Sequence, residues 1–155
     1  MRHKIVKNKR RLKKSVVNLI DTSDIVKAYD KVKLFYDRAL HHRKIAQGVA
    51  SNQVGLDYRI FTALIGGKWQ LFINPEYISK EGEEIIFPEG CLSINKKTVK
   101  VPRSYLVNLR YTVIKSGLHG LKFDTIEKQF RGSDARVIQH EMDHLDGILI
   151  TDYQA

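Results

Sequence analysis

The chain has 155 residues, 43% of them hydrophobic and 28% charged, the proportions of a soluble globular protein long enough to bury a core as a single domain over residues 1–155. No apolar run approaches the roughly 18 residues of a membrane span, and no apolar stretch of a secretory signal follows the basic start. The lone cysteine excludes an internal disulfide and fits a reducing, cytoplasmic setting.

The formal charge of +10 is uneven. Residues 1–14 carry eight Lys or Arg and no acid, and the remainder nets only +2. This basic N-terminal arm is expected as a solvated segment that aids solubility; its rivals are an electrostatic contact with RNA and a targeting remnant, which the shortage of serine disfavours. Thr22-Ser23 forms a good N-cap pair, after which Ile25, Tyr29, Val32, Phe35/Tyr36 and Leu40 recur at helical spacing to about His42. That stripe reads as core packing, with His41 and His42 marking a polar last turn.

From Gly55 onward the pattern is β. YRIFTALIGGKWQLFINP predicts two strands about Gly66-Gly67. EEIIFP leads to Cys91, KTVKVP and YLVNLRYTVI follow as strands, and a turn from Ser116-Gly117 to Gly120, holding a solvent-exposed His119, leads into LKFDTIEKQF. A last helix is expected to start at Ser133 or Asp134, either of which would cap it, with Arg136, Val137 and Leu145 helping to orient it. The class is α+β: antiparallel sheets around a central helix, with an N-terminal helix.

That last helix carries His140-Glu141-Met142-Asp143-His144. Two histidines four apart share one helix face and can reach one metal ion, and the intervening glutamate can touch water beside it. Such a site needs a third protein ligand and one open position. The extended pattern with a third histidine fails, because position 150 is Ile150, and no glutamate occurs in the eleven residues after His144. The third ligand is therefore sought upstream, and Cys91 is the candidate. A Cys/His/His set suits Zn(II), Fe(II), Ni(II) or Co(II) without choosing among them.

These residues resemble peptide deformylases. Glu89-Gly90-Cys91-Leu92-Ser93 matches the family's second motif without change, and Gln139 through Gly147 matches the third. The first motif aligns with Ala46 to Gln53 in part: Gly48, Val49, Ala50 and Gln53 agree, while Ala46, Gln47 and Ser51 depart. Val101-Pro102-Arg103 resembles the strand after the second motif, and the likeness runs from about residue 45 to 153. It implies Cys91, His140 and His144 as ligands to one divalent metal, usually Fe(II), and Glu141 as general acid and base. Gln53 and the Leu92 backbone N–H would serve the substrate oxyanion, and Gly48 the peptide backbone, with Gly90 beside them. The substrate would be the N-formylmethionyl end of a nascent protein, processed by a monomer in a bacterial or phage-infected cell, and the RNA contact of the basic arm would be with the ribosome.

The departures fall on the substrate side. Gln47 stands at an apolar wall position, and Ser133-Asp134 replace an apolar pair after Gly132, leaving Phe87 and Val137 as apolar walls. Two rival functions follow: a small metallopeptidase using the same ligands, and a catalytically weak homologue that binds metal, formyl peptides or the ribosome.

Overall fold

The computed structural model describes residues 4–154. In chain order it contains α1 (Lys9–Leu12), α2 (Ile25–Leu40), β1 (Gly48–Ala50), a 3-10 turn (Ser51–Val54), β2 (Ile60–Ile65), β3 (Lys68–Cys91), β4 (Ile94–Gly117), β5 (Gly120–Arg131), α3 (Gly132–Leu145) and a second 3-10 turn (Ile150–Tyr153). The five strands form one antiparallel sheet in sequential order, so a single sheet stands where several were expected. No helix of the described residues is long and apolar enough to cross a membrane.

The hairpin about Gly66-Gly67 is present, with Ile65 paired to Lys68. The segments EEIIFP, KTVKVP and YLVNLRYTVI are not separate strands. They belong to two continuous 24-residue strands, β3 and β4. Register shifts interrupt the β3–β4 ladder at four points, including Ile73/Glu76 around Pro75 and Glu89/Cys91 around Gly90. Bulges bend a strand without ending it, so proline and glycine signals that read as boundaries mark bends instead. His119 lies exposed in the β4–β5 turn as expected.

One of three buried clusters fixes α3 against this sheet. Phe61, Phe72, Tyr111 and Phe130 form an aromatic layer on which Ala135, Ile138, Met142 and Leu145 of α3 pack. Those four positions recur at helical spacing, so the opposite face, with Glu141 and the histidines, turns to the other side. The helix starts at Gly132, directly after β5, and its N-cap is Arg131 with no side-chain cap bond. Ser133 and Asp134 therefore lie inside the first turn, where neither acts as the cap.

α2 buries Ala28, Val32, Phe35 and Ala39 against Val49, Val54, Ile60 and Ile73. Val32 and Phe35 belong to the expected stripe, but Ile25, Tyr29 and Tyr36 are exposed. The two alanines let the helix sit close to β1 and β2, which rotates the large side chains outward. The N-cap is Asp24, which accepts from the Lys27 N–H, because Ser23 donates to Asp21 within the preceding turn. His42 is buried, not part of a polar terminus.

The basic arm is not a solvated tail. Its first three residues, Arg2 among them, lie outside the described residues. From Lys4 it is folded onto the domain: Val6 N–H donates to Gln53 O at 2.7 Å, and Val16 N–H to Leu145 O at 2.7 Å. Leu12 is fully buried in a cluster with Ile94, Val99, Val101, Leu149 and Ile150. Gly147, at φ 74°, is what allows this packing, since a Cβ there would overlap the Lys13 carbonyl.

Candidate metal centre and catalytic cavity

Two elements converge on one point. β3 ends at Cys91, and α3 carries His140 and His144 on successive turns. The potential ligand atoms of these three side chains all lie within 4.8 Å of one another, the one such cluster among the described residues. Cys91 Sγ is 3.3 Å from His144 Nε2, and the imidazole centroids are 5.0 Å apart. The Cys/His/His set inferred from sequence is thus brought together in space, and a divalent cation fits the donors by type and spacing.

The surroundings favour a cation. Burial opposes a charge on His140, yet contacts with Cys91, Glu89 and Glu141 outweigh it and raise the imidazole to about 10. Burial, then His140 and Arg103, hold His144 well below its usual range, as the neutral imidazole that a ligand must be.

Glu89 orients the first histidine, and sequence reading had given it no role beyond its motif. One carboxylate oxygen meets His140 Nδ1 at 2.9 Å. Arg103 donates to both oxygens, from Nη2 at 2.8 Å and Nε at 3.0 Å, and Arg136 donates at 2.6 Å. Burial works against the Glu89 charge, but the hydrogen bonds from His140 and Arg103 outweigh it and hold the carboxyl down to about 2. Arg103 also reaches Asp143 at 2.5 Å, to which Tyr153 donates at 2.6 Å. A carboxylate just before a metal-ligand cysteine, with an arginine paired to it across the strands, was the available signal.

Glu141 is buried beside the ligands. Its Oε2 is buried with no hydrogen-bond partner among the described residues, so an acceptor is left unsatisfied beside the candidate ligands. Burial pushes this carboxyl up to about 7, in the range a proton-transfer group needs. Gly48 faces it so closely that a Cβ there would lie 2.6 Å from Glu141 Oε1. Gln53, on the 3-10 turn after β1, is locked: its Oε1 accepts from Ala50 N–H at 2.9 Å, while Nε2 donates to Ser93 Oγ at 3.2 Å and approaches Cys91 Sγ at 3.7 Å.

A cavity of about 620 Å³ opens over this group. Gln47, Gly48, Gln53, Phe87, Gly90, Cys91, Leu92, Val137, His140 and Glu141 all line it. His144 lies just beneath, 1% exposed. Sequence reading had not placed Ile45, Pro88 or Arg136 in this wall, whereas Ser133, noted as a polar departure, is there.

The chain matches the family model described as Polypeptide deformylase over residues 2–155. It is 43% identical over 105 residues to a peptide deformylase of Pseudothermotoga lettingae, covering 68% of this chain and 57% of the relative. To that of Flavobacterium psychrophilum it is 30% identical over 148 residues, covering 84% and 72%. The chain spans only about three fifths of the length of the thermotogal relatives it matches. Among solved structures, the peptide deformylase of Thermotoga maritima superposes with a TM-score of 0.79 at 26% identity, over 100% of this chain and 99% of that one. A probable peptide deformylase from Synechococcus phage S-SSM7 gives 0.72 at 26%, over 97% and 99%.

Proposed function

The chain belongs to the polypeptide deformylase family, and on that premise we propose that it hydrolyses the N-formyl group from N-formylmethionyl peptides, releasing formate. The observation that carries this reading is the meeting, at one cavity, of a Cys91/His140/His144 donor set, a buried and unpartnered Glu141 carboxylate oxygen and the Gln53 amide.

A divalent ion held by Cys91, His140 and His144, Fe(II) first and Zn(II), Ni(II) or Co(II) as ions the same donors accept, supplies the Lewis acidity that makes water nucleophilic at neutral pH. Glu141 takes the proton from the attacking water at its unpartnered carboxylate and returns it to the departing amine. Gln53 Nε2 and the Leu92 N–H donate to the oxygen on which charge develops. The Gln53 amide does so without titrating, its Oε1 held by the Ala50 N–H while Nε2 gives up its contact with Cys91 Sγ or Ser93 Oγ for the developing charge. Gly48, with no side chain, leaves room for the peptide backbone beside Glu141. Phe87 and Val137 supply apolar wall for the first side chain, next to Gln47, Gly90 and Ser133.

Every group in this scheme comes from one chain, so a monomer suffices. Bacterial relatives and a phage neighbour favour action in the cytoplasm of a bacterial or infected cell, with ribosome contact through the basic N-terminal segment. The test is turnover of formyl-Met-Ala-Ser against unformylated Met-Ala-Ser by protein loaded anaerobically with Fe(II) or Ni(II). Formate release from the first, with no cleavage of the second, is expected. Cleavage of the free-amine peptide makes this a peptidase instead.

A further inference from the structure

The N-terminal segment is a run of cations on a folded scaffold. Lys4, Lys7, Lys9, Arg10, Arg11, Lys13 and Lys14 are all exposed, while Leu12 between them is buried and Ile5 and Val6 are drawn inward. Lys7 donates to Asn95 at 2.7 Å, which sets the segment beside the start of β4, where Lys96 and Lys97 are exposed. Arg11 donates to Gly55 O and Arg38 to Val54 O, so two guanidiniums meet around Gly55, 3.4 and 3.8 Å from where its Cβ would be. Lys13 pairs with Asp152 at 3.0 Å, but no carboxylate lies within ion-pair distance of Arg10, Arg11, Lys14, Lys96 or Lys97 among the described residues.

We propose that this face, residues 4–14 with Lys96 and Lys97, binds the phosphate backbone of RNA. It deepens the ribosome contact in the reading above by naming RNA as the ligand, and it does not depend on the catalytic step. The geometry favours RNA over a lipid surface. A membrane-binding segment turns its apolar residues outward, and here Leu12 is buried in the core. Spaced Lys and Arg on a fixed scaffold, with Arg10, Arg11, Lys14, Lys96 and Lys97 in no ion pair among the described residues, instead suit a regular line of phosphates, with affinity set by counterion release. The segment also adjoins the site, since Val6 is bonded to the Gln53 carbonyl and Lys96 and Lys97 lie at the start of β4, shortly after Cys91. Docked RNA would therefore lie beside the catalytic cavity.

The experiment is fluorescence anisotropy of the full chain with a labelled RNA hairpin across a salt series, beside sedimentation with phosphatidylglycerol/phosphatidylcholine vesicles. About five phosphate contacts give a log–log salt slope of about −4, or on the order of 10²-fold weaker binding between about 50 and 200 mM salt. The triple variant K9E/R10E/K14E should bind the hairpin at least about tenfold more weakly, with formyl-Met-Ala-Ser turnover unchanged. The neutral K9Q/R10Q/K14Q, which serves if the reversed charges impair folding, should lose an intermediate amount. No RNA binding at about 50 mM salt, equal binding by either folded variant, or capture by vesicles and not by RNA would each overturn the proposal. Loss of turnover in the wild type would leave it intact.

Discussion

The two sides of the candidate cavity are built on opposite terms. On the ligand side the polar side chains are tied down: Glu89 holds His140, Arg103 spans Glu89 and Asp143, Tyr153 closes on Asp143, and Asn52 donates to the His144 carbonyl at 2.6 Å. On the substrate side the side chains of Gln47 and Ser133 make no hydrogen bond among the described residues, and Ile45 and Phe87 are 73% and 58% exposed. A residue whose partners are already fixed is costly to replace, whereas one that faces solvent can change without disturbing the fold. The departures at Gln47 and Ser133 fall on the permissive side, and Glu89 through Ser93 and Gln139 through Gly147 keep the family motifs intact.

The comparison breaks if substitutions on the two sides cost the same. Arg103→Met should cost the most stability, about 3–5 kcal/mol, because it removes the guanidinium that the buried Glu89 and Asp143 carboxylates share. Urea melts of metal-free protein measure it, and a loss below about 1 kcal/mol would show the network to be slack. Acid melts sharpen the same point. The Glu89 carboxyl is depressed from 4.5 to about 2 on folding, so its contribution is complete above about pH 4.5 and is lost as pH falls toward about 2. Glu89→Gln should flatten the acid limb in that window.

Glu141→Ala comes next, with about 10³-fold loss of kcat and unchanged metal content by atomic absorption. Full activity would remove Glu141 from the chemistry. Gly48→Ala should cost on the order of 10²-fold in kcat, because the added Cβ must displace the Glu141 carboxylate. Its metal content should stay at the wild-type level. The smallest effects belong to the substrate side: Gln47→Leu and Ser133→Leu should leave stability within about 0.5 kcal/mol. They should shift KM for formyl-Met-Ala-Ser by less than about tenfold with kcat unchanged.

What the sequence made legible follows the same division. The ligand set could be read because His140 and His144 are four apart on a helix and Cys91 has no competitor of its type. Gln53 and Gly48 were reached only through the resemblance, since a glutamine in a turn carries no chemical signature of its own. The Glu89–Arg103–Asp143–Tyr153 network was missed because it joins residues up to 64 positions apart, which no spacing rule relates. The strand patterns were read in the right places, but the bulges that weld them into β3 and β4 depend on cross-strand register, a tertiary property. The basic arm misled because its charges hide one decisive apolar residue, Leu12, whose burial anchors the whole segment.

One titration tests the central claim most directly: metal content and formate release measured on the same preparations as Fe(II) or Ni(II) is added anaerobically. Formate release from formyl-Met-Ala-Ser should rise in proportion to bound ion and saturate at one per chain, and Cys91→Ala should neither retain the ion nor release formate. Formate release by metal-free protein, or a fully loaded protein that binds the peptide and releases none, would contradict the account.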